Sequence, residues 1–147
     1  MELQSFNQSY QTLMNDYQLA ESQLKFTGHP RECVKLASNS RTPILAIVEG
    51  KLVTYFDLHQ HEGVAPYSDN CNAILVRAFS TEVNEQGKGY AKQALQLLPA
   101  YVQKNFPHIK IVIITSQPEC SFIDRARQVG VDSFWYKTAK AEEIITV

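Results

Sequence analysis

Absences limit this sequence before any motif does. Its three cysteines, Cys33, Cys71 and Cys120, are odd in number, widely spaced and without a CxxC pair. That excludes a disulfide framework and a structural zinc site, and reads as reduced thiols in a cytoplasmic protein. No charge of one sign dominates: 14 basic residues against 15 acidic ones give a formal charge of −1, so no global field draws in nucleic acid or an anionic membrane. No apolar run approaches the roughly 20 residues of a membrane span. The opening MELQSFNQSY has neither the basic nor the apolar stretch of a secretion signal. Repeats, low-complexity segments and Pro/Gly/Ser linkers are missing as well. The 147 residues, 44% hydrophobic and 20% charged, are therefore expected to form one domain, 1–147, with a real core and a small-molecule partner.

What is present reads as a succession of helices and strands. Leu3 to Leu24 carries apolar residues at helix-like intervals, and GHPRECVKLAS predicts a second short helix after Pro30. TPILAIVEGKLVTYFDLHQ holds two β-branched and aromatic runs hinged at Glu49-Gly50, a hairpin signal. NAILVRAFST predicts a third strand. Tyr90 to Asn105 has helical spacing at Ala91, Ala94, Leu95, Leu98 and Val102, with Pro99 as its weak point. IKIVIIT is continuously β-branched, as suits a central strand in parallel pairing through a crossover helix.

Between the third strand and that helix lies EQGKGYAKQAL, residues 85–95. The first turn of a helix has unpaired N–H groups and the positive end of the macrodipole, so phosphate oxygens suit it as acceptors. Gly87 and Gly89 leave no Cβ in front of those amides, Lys88 adds positive charge at the rim, and Ala91 lets the helix start sit close to the strand. The alternative is a glycine pair that only turns the chain. The P-loop pattern GxxxxGK[ST] and the dinucleotide pattern GxGxxG are both absent.

Gln86-Gly87-Lys88-Gly89-Tyr90-Ala91 matches Q/R-x-x-G-x-G/A, and on this motif and its surroundings the chain resembles the GNAT superfamily of N-acetyltransferases over about residues 1–105. The resemblance implies an α/β (α+β) fold with a mixed, strongly twisted central sheet and helices on both faces. It implies that the backbone of Gln86, Gly87, Lys88, Gly89, Tyr90 and Ala91 binds the pyrophosphate of acetyl-CoA. Phe79, Ser80 and Thr81 would lie on a strand that splays from its neighbour and hydrogen-bonds the pantetheine and the thioester oxygen. The implied reaction is direct transfer of an acetyl group to an amine on a small molecule or peptide.

That chemistry needs in-line positioning, an N–H for the developing oxyanion, a base for the ammonium and a proton donor for the leaving thiolate. Glu82 and Asp57 are candidate bases, each expected where a strand ends near the cleft; the alternative for each is the commoner one, a solvated surface carboxylate. Asp57, His59 and His61 alternate and would share one face of an extended chain. They line an acceptor pocket, form a metal pair without a clear third ligand, or are surface residues; no metal site is expected. Tyr67 and Asp69 line the same mouth or make a plain turn. In GNAT members a tyrosine on a late helix often protonates the thiolate. With Gly130-Val131 aligned to that helix's Gly-Phe, Ala126 stands in its place and Arg125 replaces a leucine, leaving Tyr90, Cys120 or Tyr136 as substitutes or as packing residues.

The last stretch, FPHIKIVIITSQPECSFIDRARQVGVDSFWYKTAKAEEI, resembles the end of a response-regulator receiver domain, with Thr115 and Lys137 at the positions that help bind a phosphoryl group there. The acidic pair and phosphoacceptor aspartate that a receiver needs are not supplied by residues 1–105. Either the chain joins a GNAT front to a receiver-like segment at 106–147, near Phe106-Pro107, or it is a divergent GNAT. A receiver tail makes Ala139–Val147 a helix; a GNAT tail makes SFWYKT and EIITV a hairpin. The rival from another class is a non-catalytic CoA-binding scaffold. An exposed terminal sheet edge would invite a homodimer.

Overall fold

The protein is described by a computed structural model over residues 1–25, 27–65, 71–116 and 141–146. Six strands form one sheet in sequence order: β1 (Glu2–Ser5), β2 (Arg41–Val48), β3 (Lys51–His59), β4 (Ala73–Thr81), β5 (Ile111–Ser116) and β6 (Ala141–Thr146). Neighbours are antiparallel except β4 and β5, which run parallel. The helices α1 (Gln11–Asp16) and α2 (Pro30–Cys33) precede β2, and α3 (Tyr90–Asn105) makes the crossover between the parallel pair. The mixed sheet with helices on both faces is the expected architecture.

Alternation along the strands sorts the two faces. Ile44, Ala46, Phe56, Leu58, Ile74 and Val76 pack against Leu95, Leu98 and Val102 of α3. Leu45 and Tyr55 point the other way, onto Met14 of α1, Tyr17 and Cys33 of α2. Pro99 does not break α3. The missing hydrogen bond and ring clash cost about 3 kcal/mol, whereas burial of Leu95, Leu98 and Val102 stabilises by about 1.5–3 kcal/mol for each side chain.

The turn between β2 and β3 is the hairpin expected at Glu49-Gly50: both residues have positive φ, 49° and 78°, as a two-residue turn that follows the strand twist requires. The start of the chain departs from the helix expected over Leu3–Leu24. Glu2–Ser5 is a strand, because the free edge of β2 takes it up from Glu2↔Ile47 to Ser5↔Ile44. Helical structure begins only after Asn7, whose side chain accepts the Ser9 N–H at 2.9 Å. It ends at Asp16, where Tyr17 is extended.

At the other end, 141–146 form a strand on β5, from Ile111↔Thr146 to Ser116↔Ala141, where the receiver reading places a helix. Residues 117–140, which carry most of that resemblance, lie outside the described residues, and so do Tyr67, Asp69, Cys120, Arg125, Ala126, Gly130, Val131, Tyr136 and Lys137. Among the described residues no helix is long and apolar enough to cross a membrane.

Candidate active site

Two features of β4 open the site. The parallel ladder to β5 runs from Ala73↔Ile111 only to Val76↔Ile114, while β4 continues to Thr81. Beyond Val76 the two strands part. On the side of β3 the register slips between Tyr55↔Ser80 and Asp57↔Arg77, so Phe56 faces both Ala78 and Phe79. Ala78 takes a positive φ of 53° at this bulge, and the Phe79 ring stacks on Phe56 with centroids 5.5 Å apart. A bulge bends its strand and re-aims the side chains after it. Here those are Phe79, Ser80 and Thr81, which line a cleft of about 640 Å³, within the range of small-molecule sites.

The facing wall is the loop into α3. Glu82 caps the short turn Val83–Glu85 by accepting the Asn84 N–H at 2.7 Å. Gly87 and Gly89 follow with φ of 77° and 81°, and Gly89 is the residue that starts α3. A Cβ at either glycine would meet no atom within 4 Å. Glycine is needed for its backbone angle, and the space in front of it is open. No side chain caps α3. Its first internal bond runs from the Gln93 N–H to the Gly89 carbonyl at 3.0 Å, so the N–H groups of Tyr90, Ala91 and Lys92 have no acceptor within the helix. Gly87, Tyr90 and Ala91 line the cleft, and so does the cation Lys92.

The third wall is the connection between α1 and α2, strapped onto β4 and the turn after it by three bonds. The Gln23 amide donates to the Thr81 carbonyl at 2.9 Å, the Val83 N–H donates to the Gln18 carbonyl at 2.9 Å, and the Tyr17 and Ser80 hydroxyls lie 2.9 Å apart. His29 Nε2 holds the Tyr17 carbonyl at 2.7 Å. Burial pushes the Tyr17 phenol well above its ordinary pKa.

The structure thus brings together Phe79, Ser80, Thr81, Gln86, Gly87, Gly89, Tyr90 and Ala91 around one cleft. Lys88 is not among the residues that line the cleft, and its ammonium is engaged by Glu85 at 2.8 Å. Glu85 also pairs with Lys51, and the two cations hold its carboxyl below the usual glutamate range. Glu82 follows β4 as expected and is 3% exposed, with both oxygens engaged by Asn84.

Asp57 lies within β3 and not past its end, fully buried and away from the cleft walls. One of its oxygens accepts from Arg41 Nε at 2.9 Å and from Arg41 Nη2, and the other accepts the Tyr55 hydroxyl. His59 Nε2 is 3.9 Å from Asp57, whereas His61 is exposed in the turn after β3. Among the described residues no His, Cys, Asp and Glu side chains group as a metal site. Gln23, Glu85 and Lys92 line the cleft without having been singled out in the sequence. Lys92 was within reach of the motif, and Gln23 carries no local signal.

No family model matches the chain. It is 37% identical over 116 residues to the uncharacterized N-acetyltransferase YbbJ of Bacillus subtilis (strain 168); the match covers 77% of this chain and spans 66% of that relative's length. The GNAT domain of S. lividans PAT superposes with a TM-score of 0.72 at 12% identity, over 99% of this chain and 89% of that one. Aminoglycoside acetyltransferase AAC(6')-Ib, solved with coenzyme A, gives 0.70 at 13% over 98% and 93%. A GNAT-family acetyltransferase from Bacillus anthracis gives 0.64 at 18% over 98% and 93%. A join near Phe106-Pro107 finds no support in these matches. Sequence relative, sheet topology and glycine loop agree: the chain has the fold of the GNAT acetyltransferases and is related in sequence to an N-acetyltransferase.

Proposed function

We propose that the chain is an acetyl-CoA-dependent N-acetyltransferase that acts on an amine of a small molecule or peptide. The observation that carries this reading is the uncapped start of α3, opening through Gly87 and Gly89 into a cleft whose opposite wall is the parted edge of β4. The residues fit the cofactor. A diphosphate would satisfy the orphan amides of Tyr90, Ala91 and Lys92, favoured by the helix dipole and by the Lys92 charge. Glu85 offsets part of the charge of Lys88, so that side chain is a weaker anion ligand than its place in the motif suggests. Phe79, Ser80 and Thr81 would hold the thioester arm along β4.

When bound, acetyl-CoA supplies an acetyl group already activated for attack by nitrogen. The chain's own part is to align that carbon with the amine and keep both in a fixed approach. Glu82 is the carboxylate we assign to the acceptor's proton. It is the first residue past the cleft-lining strand, and its charge is felt at the Tyr17 phenol beside Ser80. Asp57 is taken up by Arg41 and Tyr55 and has no such part. Related folds have been solved with ribostamycin and kanamycin, which makes polyamino sugars reasonable first acceptors.

The test follows free-thiol release from acetyl-CoA in the presence of kanamycin, ribostamycin and a lysine-containing peptide, alongside thermal melting. Acetyl-CoA should raise the melting point, and at least one amine should give saturable turnover. Stabilisation without turnover over a broad amine panel would move the assignment to a CoA-binding scaffold. A folded protein that acetyl-CoA leaves unchanged would end both readings.

A further inference from the structure

Tyr17 and Ser80 are 63 positions apart, both nearly buried, and joined by a hydroxyl–hydroxyl hydrogen bond of 2.9 Å. The direction of that bond follows from their surroundings. Burial, with the Glu82 carboxylate nearby, keeps the Tyr17 phenol protonated. Tyr17 is 2% exposed, and Ser80 Oγ is the acceptor within hydrogen-bond distance of its hydroxyl among the described residues, so the phenol proton is placed there. Ser80 Oγ then has its lone pair occupied and its own O–H to place. Among the described residues nothing else takes that proton. Ser80 lines the cleft, so the O–H has the cleft to point into.

Position within the cleft says what meets it. The anion-binding end is the start of α3; Ser80 stands on the opposite wall, past the bulge at Ala78. A thioester whose diphosphate lies on α3 would bring its reactive end to that wall. The strap from Tyr17 to His29 holds the arrangement, since His29 fixes the Tyr17 carbonyl and Gln23 the Thr81 carbonyl.

We propose that Tyr17 orients Ser80 as a fixed hydrogen-bond donor to the thioester sulfur, serving the leaving group. The inference rests on the acetyl-CoA reading of the cleft. As the amine nitrogen bonds to the acetyl carbon, the C–S bond breaks and its electron pair goes to sulfur, which meets the Ser80 O–H. The proton shed by nitrogen completes the thiol. Ser80 is the catalytic residue here and Tyr17 a positioning residue. Glu82 and His29 are the titratable groups that face the pair.

The test needs no acceptor amine. The pKa of the CoA thiol is read from its ultraviolet thiolate absorbance in complex with wild type, Tyr17→Phe, Ser80→Ala and Ser80→Thr, with calorimetry confirming that CoA stays bound. A hydrogen bond to the ionised sulfur lowers that pKa by about one to two units. Wild type and Ser80→Thr should show the lowered value, and Tyr17→Phe and Ser80→Ala should both lose it while affinity for CoA stays within a few-fold. Should Tyr17→Phe melt too low to test, Ser80→Ala decides alone. CoA bound with one thiol pKa in all four proteins would overturn the donor pair and leave the cofactor site standing. Failure of wild type to bind CoA would overturn both.

Discussion

Gly89→Val should lower affinity for CoA at least about 100-fold while leaving a folded protein. The two halves of this result have separate causes. Gly89 starts α3 at φ 81°, and a Cβ there would touch no protein atom. The cost to the fold is thus backbone strain, about 1–2 kcal/mol for a side chain in the left-handed region. In a chain of this size that lowers the melting point by only a few degrees, at about 2–4 °C per kcal/mol. Binding suffers more. The open space in front of Gly89 is the space the diphosphate would use, and hydrogen bonds to a charged group contribute about 1.5–3 kcal/mol each. Losing two of them is at least a hundredfold, since every 1.4 kcal/mol or so is a factor of ten. Calorimetry of both proteins, checked by circular dichroism, gives the comparison. Unchanged affinity would reduce the motif to a turn.

Asp57→Ala should have the opposite profile, a large loss of stability with the cofactor site intact in the molecules that stay folded. The carboxylate is completely buried and anchors Arg41, whose side chain is 20% exposed, together with the Tyr55 hydroxyl. Removing it strands a cation and a phenol in the interior between β2, β3 and α2. Breaking a buried pair from one side costs about 3–5 kcal/mol. Because Arg41 retains some access to water, the lower end of that range is expected, a fall in melting point of about 10 °C. Tyr55→Phe removes a single hydrogen bond and should cost about 1 kcal/mol. A fall of only a degree or two for Asp57→Ala would mean that Arg41 reaches solvent without it. Loss of CoA binding at full stability would return Asp57 to the chemistry.

Local backbone demands were what the sequence made legible. A positive φ calls for glycine, so Gly87 and Gly89 announced the loop and Glu49-Gly50 the hairpin. The stripe Ala94, Leu95, Leu98 and Val102 marked α3, whose bounds, Tyr90–Asn105, are those observed. Demands made by distant partners were not legible. Leu3 sits in a strand because the edge of β2 was unpaired, not because its neighbours favour one. The bulge rests on Ala78, a residue with no special freedom at φ 53°, so nothing local gives it away. Gln23 reaches Thr81 across 58 positions and Tyr17 reaches Ser80 across 63. Asp57 and Glu82 looked alike as acids following apolar runs. Their partners separate them: Arg41 and Tyr55 enclose the first, whereas the second caps the turn beside the cleft.

The central claim is that the bare amides at the start of α3 receive the cofactor's diphosphate. The most direct measurement is an amide chemical-shift titration of the isotope-labelled protein with CoA. Saturable changes are expected, largest at Gly87 to Lys92 and extending to Phe79, Ser80 and Thr81. A folded protein whose α3 amides do not respond, or whose changes gather elsewhere, would contradict it.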